Sequence, residues 1–200
     1  MEEQIIKAFS GVASYYDQYM METGHTQAQG KIVDALQHYL NGKKVLDVAT
    51  GTGFMISKVN DSIGVDASKE MIQEAKRKNP DKPFIIADVE YLPFRDKTFD
   101  VVMSCLAYLW FPDRERALQE MKRVSSGKVL IIEEEGTPAR LRMNIPGHLR
   151  VFFDEIEKLE KLINIKELDS RCLRLAEVDI DGSHKFVVWQ INEPSPRIKP

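Results

Sequence analysis

One nine-residue stretch, 45–53, constrains the fold of this chain more than any other. Its apolar residues Val45, Leu46 and Val48 predict the end of a buried strand, and the small residues from Ala49 to Gly53 predict a tight turn before a helix. Glycines in such a turn tolerate positive φ and let a ligand approach the main chain, while a helix start offers free N–H groups. A strand, a turn and a helix in this order predict a nucleotide-binding site.

The surrounding residues argue against a dinucleotide. A dinucleotide fingerprint needs a third glycine where this chain has Ile56, and an acid about 20 residues further on. The next acid at a predicted strand end, Asp66, comes only 13 residues after Gly53. Asp47 would also place negative charge beside bound phosphates. A ligand with a cationic centre and no phosphates therefore fits this turn better.

Four segments in order resemble the motifs of class I S-adenosylmethionine-dependent methyltransferases. The stretch 45–53 resembles the first motif, with Ala49 where the family more often has its first glycine. The resemblance implies that Asp66 accepts hydrogen bonds from the ribose hydroxyls and that Asp88 binds the adenine amino group. It also implies that Phe99–Ser104 is the fourth strand, beside the methionine moiety.

The cofactor implied by this resemblance is S-adenosylmethionine, with S-adenosylhomocysteine as the product, and no metal is implied. Asp47 is expected to organise the turn rather than to contact the cofactor directly. The residues expected at the cofactor site are Tyr16, Asp47, Ala49, Thr50, Gly51, Gly53, Asp66, Ala67, Met71, Asp88, Val89, Ser104 and Cys105.

Apolar strands alternate with amphipathic helices, which predicts an α/β fold with a doubly wound, mostly parallel sheet. The resemblance implies a Rossmann-like sheet with strand order 3-2-1-4-5-7-6 and a C-terminal antiparallel hairpin, for which Asp181-Gly182 is a typical turn. Strands are predicted at 45–48, 62–66, 84–87, 100–104, 128–132, 171–180 and 185–191.

Helix positions follow from apolar spacing and capping residues. Two short helices or one bent helix are predicted over 5–19 with a break near Ser10-Gly11, and Thr26 is predicted to cap a helix that stops at Asn41-Gly42. The other predicted helices run from Thr52 to about Val59, from a cap at Ser68, from Pro112-Asp113, and across 152–163.

The chain is predicted to form a single methyltransferase domain over 1–192. Residues 1–42 would form a helical cap over the cofactor, 136–150 a lid loop, and 193–200, with three prolines, a mobile tail.

Composition argues against several classes of partner. The net charge is −3, with 28 basic and 31 acidic residues interspersed, which offers no footprint for nucleic acid or an anionic membrane. The absence of a long apolar run and the acidic start of the chain predict a cytoplasmic protein without a membrane span. Cys105 and Cys172 have no spacing typical of a disulfide framework or a zinc site.

Methyl transfer from a sulfonium needs alignment and a dry cavity more than a dedicated base. Alignment alone can supply roughly 7–11 kcal/mol of the barrier. If the acceptor must lose a proton, the candidate bases are Tyr16, His25, Tyr108 and His148.

The acceptor is predicted to be a small molecule, because the chain is most similar overall to the methyltransferases of quinone biosynthesis and of the biotin pathway. Arg140 and Arg142 lie in a segment without acids, which predicts either a solvated basic loop or contact with an anionic acceptor. Three alternatives remain open: a protein acceptor, a regulator that binds S-adenosylmethionine without transferring the methyl group, and a Rossmann-like oxidoreductase.

Overall fold

Seven strands and five helices form the regular structure of the residues that the computed structural model describes, which are 2–22, 24–135, 172–180 and 184–191. The strands are β1 (Val45–Val48), β2 (Ser62–Asp66), β3 (Phe84–Ile86), β4 (Phe99–Cys105), β5 (Ser125–Glu135), β6 (Cys172–Ile180) and β7 (His184–Ile191). The helices are α1 (Glu2–Val12), α2 (Tyr16–Glu22), α3 (His25–Leu40), α4 (Lys69–Lys78) and α5 (Arg114–Val124).

The strands form one sheet in the order β3-β2-β1-β4-β5-β7-β6, which confirms the predicted fold class and strand order. β1, β2, β3, β4 and β5 pair in parallel, and β7 pairs antiparallel with both β5 and β6. Since β1 lies between β2 and β4, the chain reverses its direction of winding there, and the crevice that opens at such a point is the usual ligand site of this architecture.

Both faces of the sheet are covered, as continuous apolar strands require. Alternate strand residues pack on opposite sides. On one face Val102 and Ile131 pack with Met121 of α5, and on the other Met103 and Leu130 pack with the α3 side. Each covering helix buries an apolar stripe: Ile32, Val33, Leu36 and Leu40 in α3, Met71, Ile72 and Ala75 in α4, and Ala117, Leu118, Met121 and Val124 in α5.

The N-terminal helices differ from the prediction in where they break. α1 continues through Ser10 and Gly11, and the break falls at residues 13–15. Ser10 of α1 contacts the residue that caps α4, because its Oγ lies 2.8 Å from Ser68 Oγ. The prediction that Thr26 caps α3 is wrong: the cap position is Gly24, whose φ of 80° makes the sharp turn out of α2.

The prediction of a helix from Thr52 to Val59 is also wrong. The chain forms successive turns there and a single 3₁₀ turn at Ile56–Lys58. Too few residues separate the turn after β1 from β2 for a regular helix. Where the chain enters β2, the Ser62 hydroxyl donates to the Val59 carbonyl at 2.7 Å. By contrast, the predicted cap of α4 is confirmed, because Ser68 Oγ accepts from Met71 N at 3.1 Å. α5 begins next to the predicted start at Pro112-Asp113, where Asp113 Oδ1 accepts from Arg116 N at 2.9 Å.

Strand ends shift by a few residues. β3 ends at Ile86, β4 includes Cys105, which was placed just past it, and β5 begins at Ser125 and not at Lys128. The early start of β5 depends on Gly127, because a Cβ there would lie 2.5 Å from the Asp100 carbonyl oxygen.

Several predictions lie outside the described residues. They concern the loop 136–150, the helix across 152–163, the Asp181-Gly182 turn and the tail 193–200. Among the helices that are described, none combines the length and the apolar character needed to cross a membrane.

The same substitution at two glycines should change stability in opposite directions. Gly127→Ala forces a methyl group against the backbone of β4, and we expect it to lower the free energy of unfolding by about 1–3 kcal/mol. Gly30 lies inside α3, where a new Cβ meets no atom within 4 Å, so Gly30→Ala should raise that free energy by about 0.5–1 kcal/mol. Urea unfolding of both variants measures the two effects, and a destabilising Gly30→Ala or a neutral Gly127→Ala would contradict this packing.

Candidate functional site

A cavity of about 590 Å³ opens at the carboxyl ends of β1, β2 and β4, under helices α1 and α2. Most of the residues predicted for the cofactor site line it: Tyr16, Ala49, Thr50, Gly51, Asp66, Ala67, Met71, Asp88, Val89 and Cys105. The other three predicted residues do not line the cavity. Asp47 is buried under the turn, Gly53 packs against Phe84, and Ser104 is fully buried in the sheet.

The turn after β1 is held in a left-handed backbone conformation. Ala49, Gly51 and Gly53 have φ values of 55°, 56° and 80°. At Ala49 this conformation is strained for a residue with a Cβ, which explains why glycine is more usual at that position. Thr50 N donates to the Val65 carbonyl at 2.9 Å, so the turn is bound to β2 as well as to its own strand.

Asp66 connects this turn to the start of α4. Its Oδ2 accepts from Gly51 N at 2.8 Å, and its Oδ1 accepts from Ser68 N at 2.8 Å. Burial raises the pKa of this carboxyl, and the backbone donors of Ser68, Gly51 and Ala67 oppose that rise. Each carboxylate oxygen can accept more than one hydrogen bond, so the cavity-facing side of Asp66 can also receive two neighbouring hydroxyls.

Asp47 organises the turn from below. The Thr50 hydroxyl donates to its Oδ2 at 2.6 Å, and the carboxyl is 1% exposed. Burial, helped by repulsion from Asp66, raises the pKa of Asp47 to about 7. This carboxyl therefore titrates near neutral pH, where a nearby cation would favour its ionised form.

Asp88 follows β3 and lines the cavity between Ala87 and Val89. Its Oδ1 accepts from Glu90 N at 2.8 Å and so begins the 3₁₀ turn Val89–Tyr91. The carboxyl thus has a fixed orientation at the cavity wall, where it can accept a hydrogen bond from an amino group.

Aromatic side chains close the cavity from the N-terminal side. The Tyr16 ring stands over the turn, with Cε1 4.0 Å from the place where a Gly51 Cβ would lie. The Phe9 ring packs edge-on to Tyr16 and to Trp110, at centroid distances of 6.4 and 6.0 Å. Burial raises the pKa of the Tyr16 phenol, which therefore stays protonated at neutral pH and suits hydrogen bonding better than proton abstraction.

Asp17 connects helix α2 to the turn after β1. Its Oδ1 accepts from the Thr52 hydroxyl at 2.5 Å, and its Oδ2 forms an ion pair with Lys78 of α4. Asp17 was not among the residues that the sequence predicted for this site. Its partners come from segments 35 and 61 residues away, so local sequence patterns could not reveal them.

Two further candidate bases lie in packed surroundings. The His25 ring is 5% exposed, stands edge-on to Phe186, and places Nε2 3.2 Å from Glu134 Oε2. Tyr108 is 5% exposed and packs against Phe111. His148, Arg140 and Arg142 lie outside the described residues, so their roles stay predictions.

Cys105 lines the cavity at the end of β4, where burial raises the pKa of its thiol well above the usual value. A thiol that stays protonated is a poor nucleophile. Within the described ranges, no three His, Cys, Asp or Glu side chains are grouped so that they could hold a metal ion.

Comparison with known proteins supports the sequence resemblance. Residues 46–132 match the family described as Methyltransferase domain. A demethylmenaquinone methyltransferase from Thermotoga maritima is 31% identical over 142 residues, which cover 66% of this chain and 62% of that protein. A malonyl-[acyl-carrier protein] O-methyltransferase from Hamiltonella defensa is 32% identical over 129 residues, which cover 58% of this chain and 50% of that protein. The chain thus spans less than two thirds of the length of these relatives.

The fold has solved counterparts. A crystal structure of an S-adenosylmethionine-dependent methyltransferase from Thermotoga maritima superposes with a TM-score of 0.64 at 17% identity, covering 93% of this chain and 99% of that chain. Identity at this level shows a shared fold alone. The family match over 46–132 and the two curated relatives support a class I S-adenosylmethionine-dependent methyltransferase, a family whose cofactor is S-adenosylmethionine, and the solved structure agrees in fold.

Proposed function

We propose that this chain catalyses methyl transfer from S-adenosylmethionine to a small-molecule acceptor. The observation that carries the proposal is a single cavity that joins a turn of exposed main chain and two oriented acids, Asp66 and Asp88, to an aromatic chamber under α1. The turn and the two acids suit the adenosine and its ribose. The aromatic residues under α1 suit an acceptor molecule that approaches from the α1 side.

Each wall of the cavity has a separate task in this proposal. Asp66 accepts hydrogen bonds from the ribose hydroxyls, Asp88 accepts one from the adenine amino group, and the turn around Gly51 borders the methionine part. When bound, S-adenosylmethionine supplies an electrophilic methyl group on a sulfonium. Tyr16 and Phe9 exclude water from that end and restrict the direction from which an acceptor can approach.

The described wall of the acceptor end is mainly apolar. Its apolar residues are Ile5, Ile6, Phe9, Met20 and Trp110, and its polar side chains include Gln18 of α2 and Thr26 and Gln29 of α3. This lining favours a mainly apolar acceptor that also carries hydrogen-bonding groups, in keeping with the quinone substrate named for the Thermotoga relative. Arg140 and Arg142 would instead favour an anionic acceptor, and both classes belong in the test.

An acceptor panel tests the proposed reaction. We expect S-adenosylhomocysteine to form with an apolar phenol or hydroquinone, and with a fatty or aromatic carboxylic acid only if the basic residues Arg140 and Arg142 contribute. Mass spectrometry of the acceptor identifies the methylated product. Cofactor binding without turnover on small molecules, peptides or carrier-bound acids would instead support a regulator, and binding of NAD in place of S-adenosylmethionine would support an oxidoreductase.

Replacing Asp66 should weaken cofactor binding through the ribose. Because a hydrogen bond to a charged group contributes about 1.5–3 kcal/mol, we expect Asp66→Asn to raise the Kd for S-adenosylhomocysteine by about 10–100-fold in calorimetry. Asp100→Asn is the matched control, since Asp100 accepts from Lys44 N near the amino end of β4, at the opposite end of the strands from the cavity.

A deoxy ligand separates ribose recognition from damage to the turn, because Asp66 also holds Gly51 N and Ser68 N. In the parent protein, the 2′-deoxy analogue should bind about tenfold more weakly than S-adenosylhomocysteine. In Asp66→Asn, the difference in affinity between these two ligands should be less than about threefold. An equal penalty for the missing hydroxyl in both proteins would contradict the ribose assignment.

Cofactor affinity should depend on pH through Asp47. With a pKa of about 7, this carboxyl is mostly protonated at pH 6, and a bound cation should draw it toward the ionised form with release of a proton. We therefore expect affinity for S-adenosylmethionine to rise from pH 6 to pH 8, by at most about tenfold per pH unit for one proton.

Calorimetry in buffers of different ionisation enthalpy measures the released proton. Asp47→Asn should abolish both the release and the pH dependence, while Asp100→Asn should retain them. Stability should show the opposite trend: since the folded-state pKa of Asp47 lies above its unfolded value of 3.8, its contribution is present below about pH 4 and is lost as the pH rises through 7. A pH-independent affinity in the parent protein would contradict this role.

A further inference from the structure

Glu133 is a buried carboxyl that the cofactor site does not use. It lies near the carboxyl end of β5, is 3% exposed, and is paired across the antiparallel ladder with Val187 of β7. By strand alternation it shares a face with Ile131, toward the core layer that contains Tyr108 and Phe111. A buried acid needs hydrogen-bond donors, and this position has them in an adjacent loop.

The donors belong to the 3₁₀ turn Tyr108–Trp110, which follows β4. Within this turn Trp110 N donates to the Ala107 carbonyl at 2.9 Å and Phe111 N donates to the Tyr108 carbonyl at 3.2 Å. The first N–H groups of a helical turn have no partner inside it, and the cap residue Ala107 has no polar side chain to supply one. Glu133 Oε1 accepts from Tyr108 N at 2.8 Å, so the cap comes from a neighbouring strand.

The segment held in this way forms the wall of the cavity where the acceptor must enter. Leu106, Ala107 and Trp110 all line the cavity, and Trp110 carries the contact with Phe9 of α1. Leu106 has a φ of 58°, a strained conformation for a leucine that only a well-anchored loop would retain. Its N donates to the Ile132 carbonyl at 2.8 Å, so the loop is anchored at two successive residues of β5.

We propose that Glu133 is a positioning residue for the acceptor: by capping the 108–110 turn it fixes Leu106, Ala107 and Trp110 against the cavity. Glu133 touches neither cofactor nor acceptor in this arrangement and acts through the backbone of the turn. The inference rests on the proposed function, because it assigns the turn to the acceptor end of a methyl-transfer site.

Ionisation of Glu133 provides a second signature. Burial raises the pKa of this carboxyl to about 8, against the effect of the backbone donors of Tyr108, Leu109 and Ala107. The titratable groups that interact with it are Glu134 on its own strand, Cys105 at the end of β4 and Tyr16 of α2, while β7 presents Val187. Since the folded-state pKa is raised above 4.5, the contribution of Glu133 to stability is present below about pH 4.5 and is lost as the pH rises through 8.

The test compares Glu133 with a second glutamate that makes the same kind of bond elsewhere. Glu120 of α5 is 8% exposed and its Oε2 accepts from Leu92 N at 2.9 Å, but Leu92 belongs to the core and not to the cavity wall. Each residue is replaced by Ala, which removes the acceptor, and by Gln, which keeps one acceptor oxygen. The measurements are hydrogen exchange of individual backbone amides, the Kd of S-adenosylhomocysteine, and KM and kcat for an acceptor identified in the panel.

We expect Glu133→Ala to speed exchange at the amides of 107–110 by about tenfold or more and to raise the acceptor KM by a similar factor, with the cofactor Kd within about threefold of the parent value. Glu133→Gln should restore protection and KM, and its stability relative to the parent should increase as the pH rises from about 5 to 9. Glu120→Ala should lower stability and leave the acceptor KM unchanged.

Three results would overturn the proposal: unchanged exchange at 107–110 in Glu133→Ala, a KM increase of equal size in Glu120→Ala, or a cofactor Kd that rises as much as the acceptor KM. The exchange measurement needs no turnover. If no acceptor is methylated, the proposed function fails, but amide protection in the Glu133 variants still decides whether this carboxyl caps the turn.

Discussion

The two hydrogen bonds that Asp66 accepts from Gly51 N and Ser68 N are the constraint on which the site depends. They join the turn after β1 to the cap of α4. The left-handed backbone at Ala49, Gly51 and Gly53 is supported in addition by Thr50, whose N donates to Val65 and whose hydroxyl donates to Asp47, and by the Thr52 hydroxyl, which donates to Asp17. A carboxylate that holds two backbone donors is also pre-oriented, so a ligand that uses its remaining lone pairs meets little entropic cost of ordering.

The second half of the cavity depends on contacts between segments that are far apart in sequence. Asp17 connects α2 to Thr52 and Lys78, and Ser10 connects α1 to the cap of α4. Phe9 then reaches Trp110 of the loop after β4. The sheet therefore supplies one side of the cavity, and the N-terminal helices and one loop supply the other.

The sequence predicted the parts of the fold that local chemistry determines. Continuous apolar runs located the central strands, Ser68 was recognised as a cap and Pro112-Asp113 as a helix start, and Asp66 lies at the end of β2 as predicted. The failures have non-local causes. The 52–59 helix is prevented by the short path to β2, and the break between α1 and α2 moves because Ser10 is held at the surface of α4. Glu133 gave no signal, because three consecutive glutamates at a strand end resemble a solvated edge until the loop that covers the first of them is placed.

The buried acids around this cavity make one electrostatic pattern. Burial raises the pKa of Asp47 to about 7 and that of Glu133 to about 8, so both are partly or mostly neutral at physiological pH. Asp66 has backbone donors on both of its oxygens, which spread its charge into the turn. Burial thus lets these acids orient loops of the chain while Asp47 and Glu133 carry less than full negative charge in the protein without ligand. That balance between hydrogen bonding and charge would be lost if the same positions held exposed, fully ionised carboxylates.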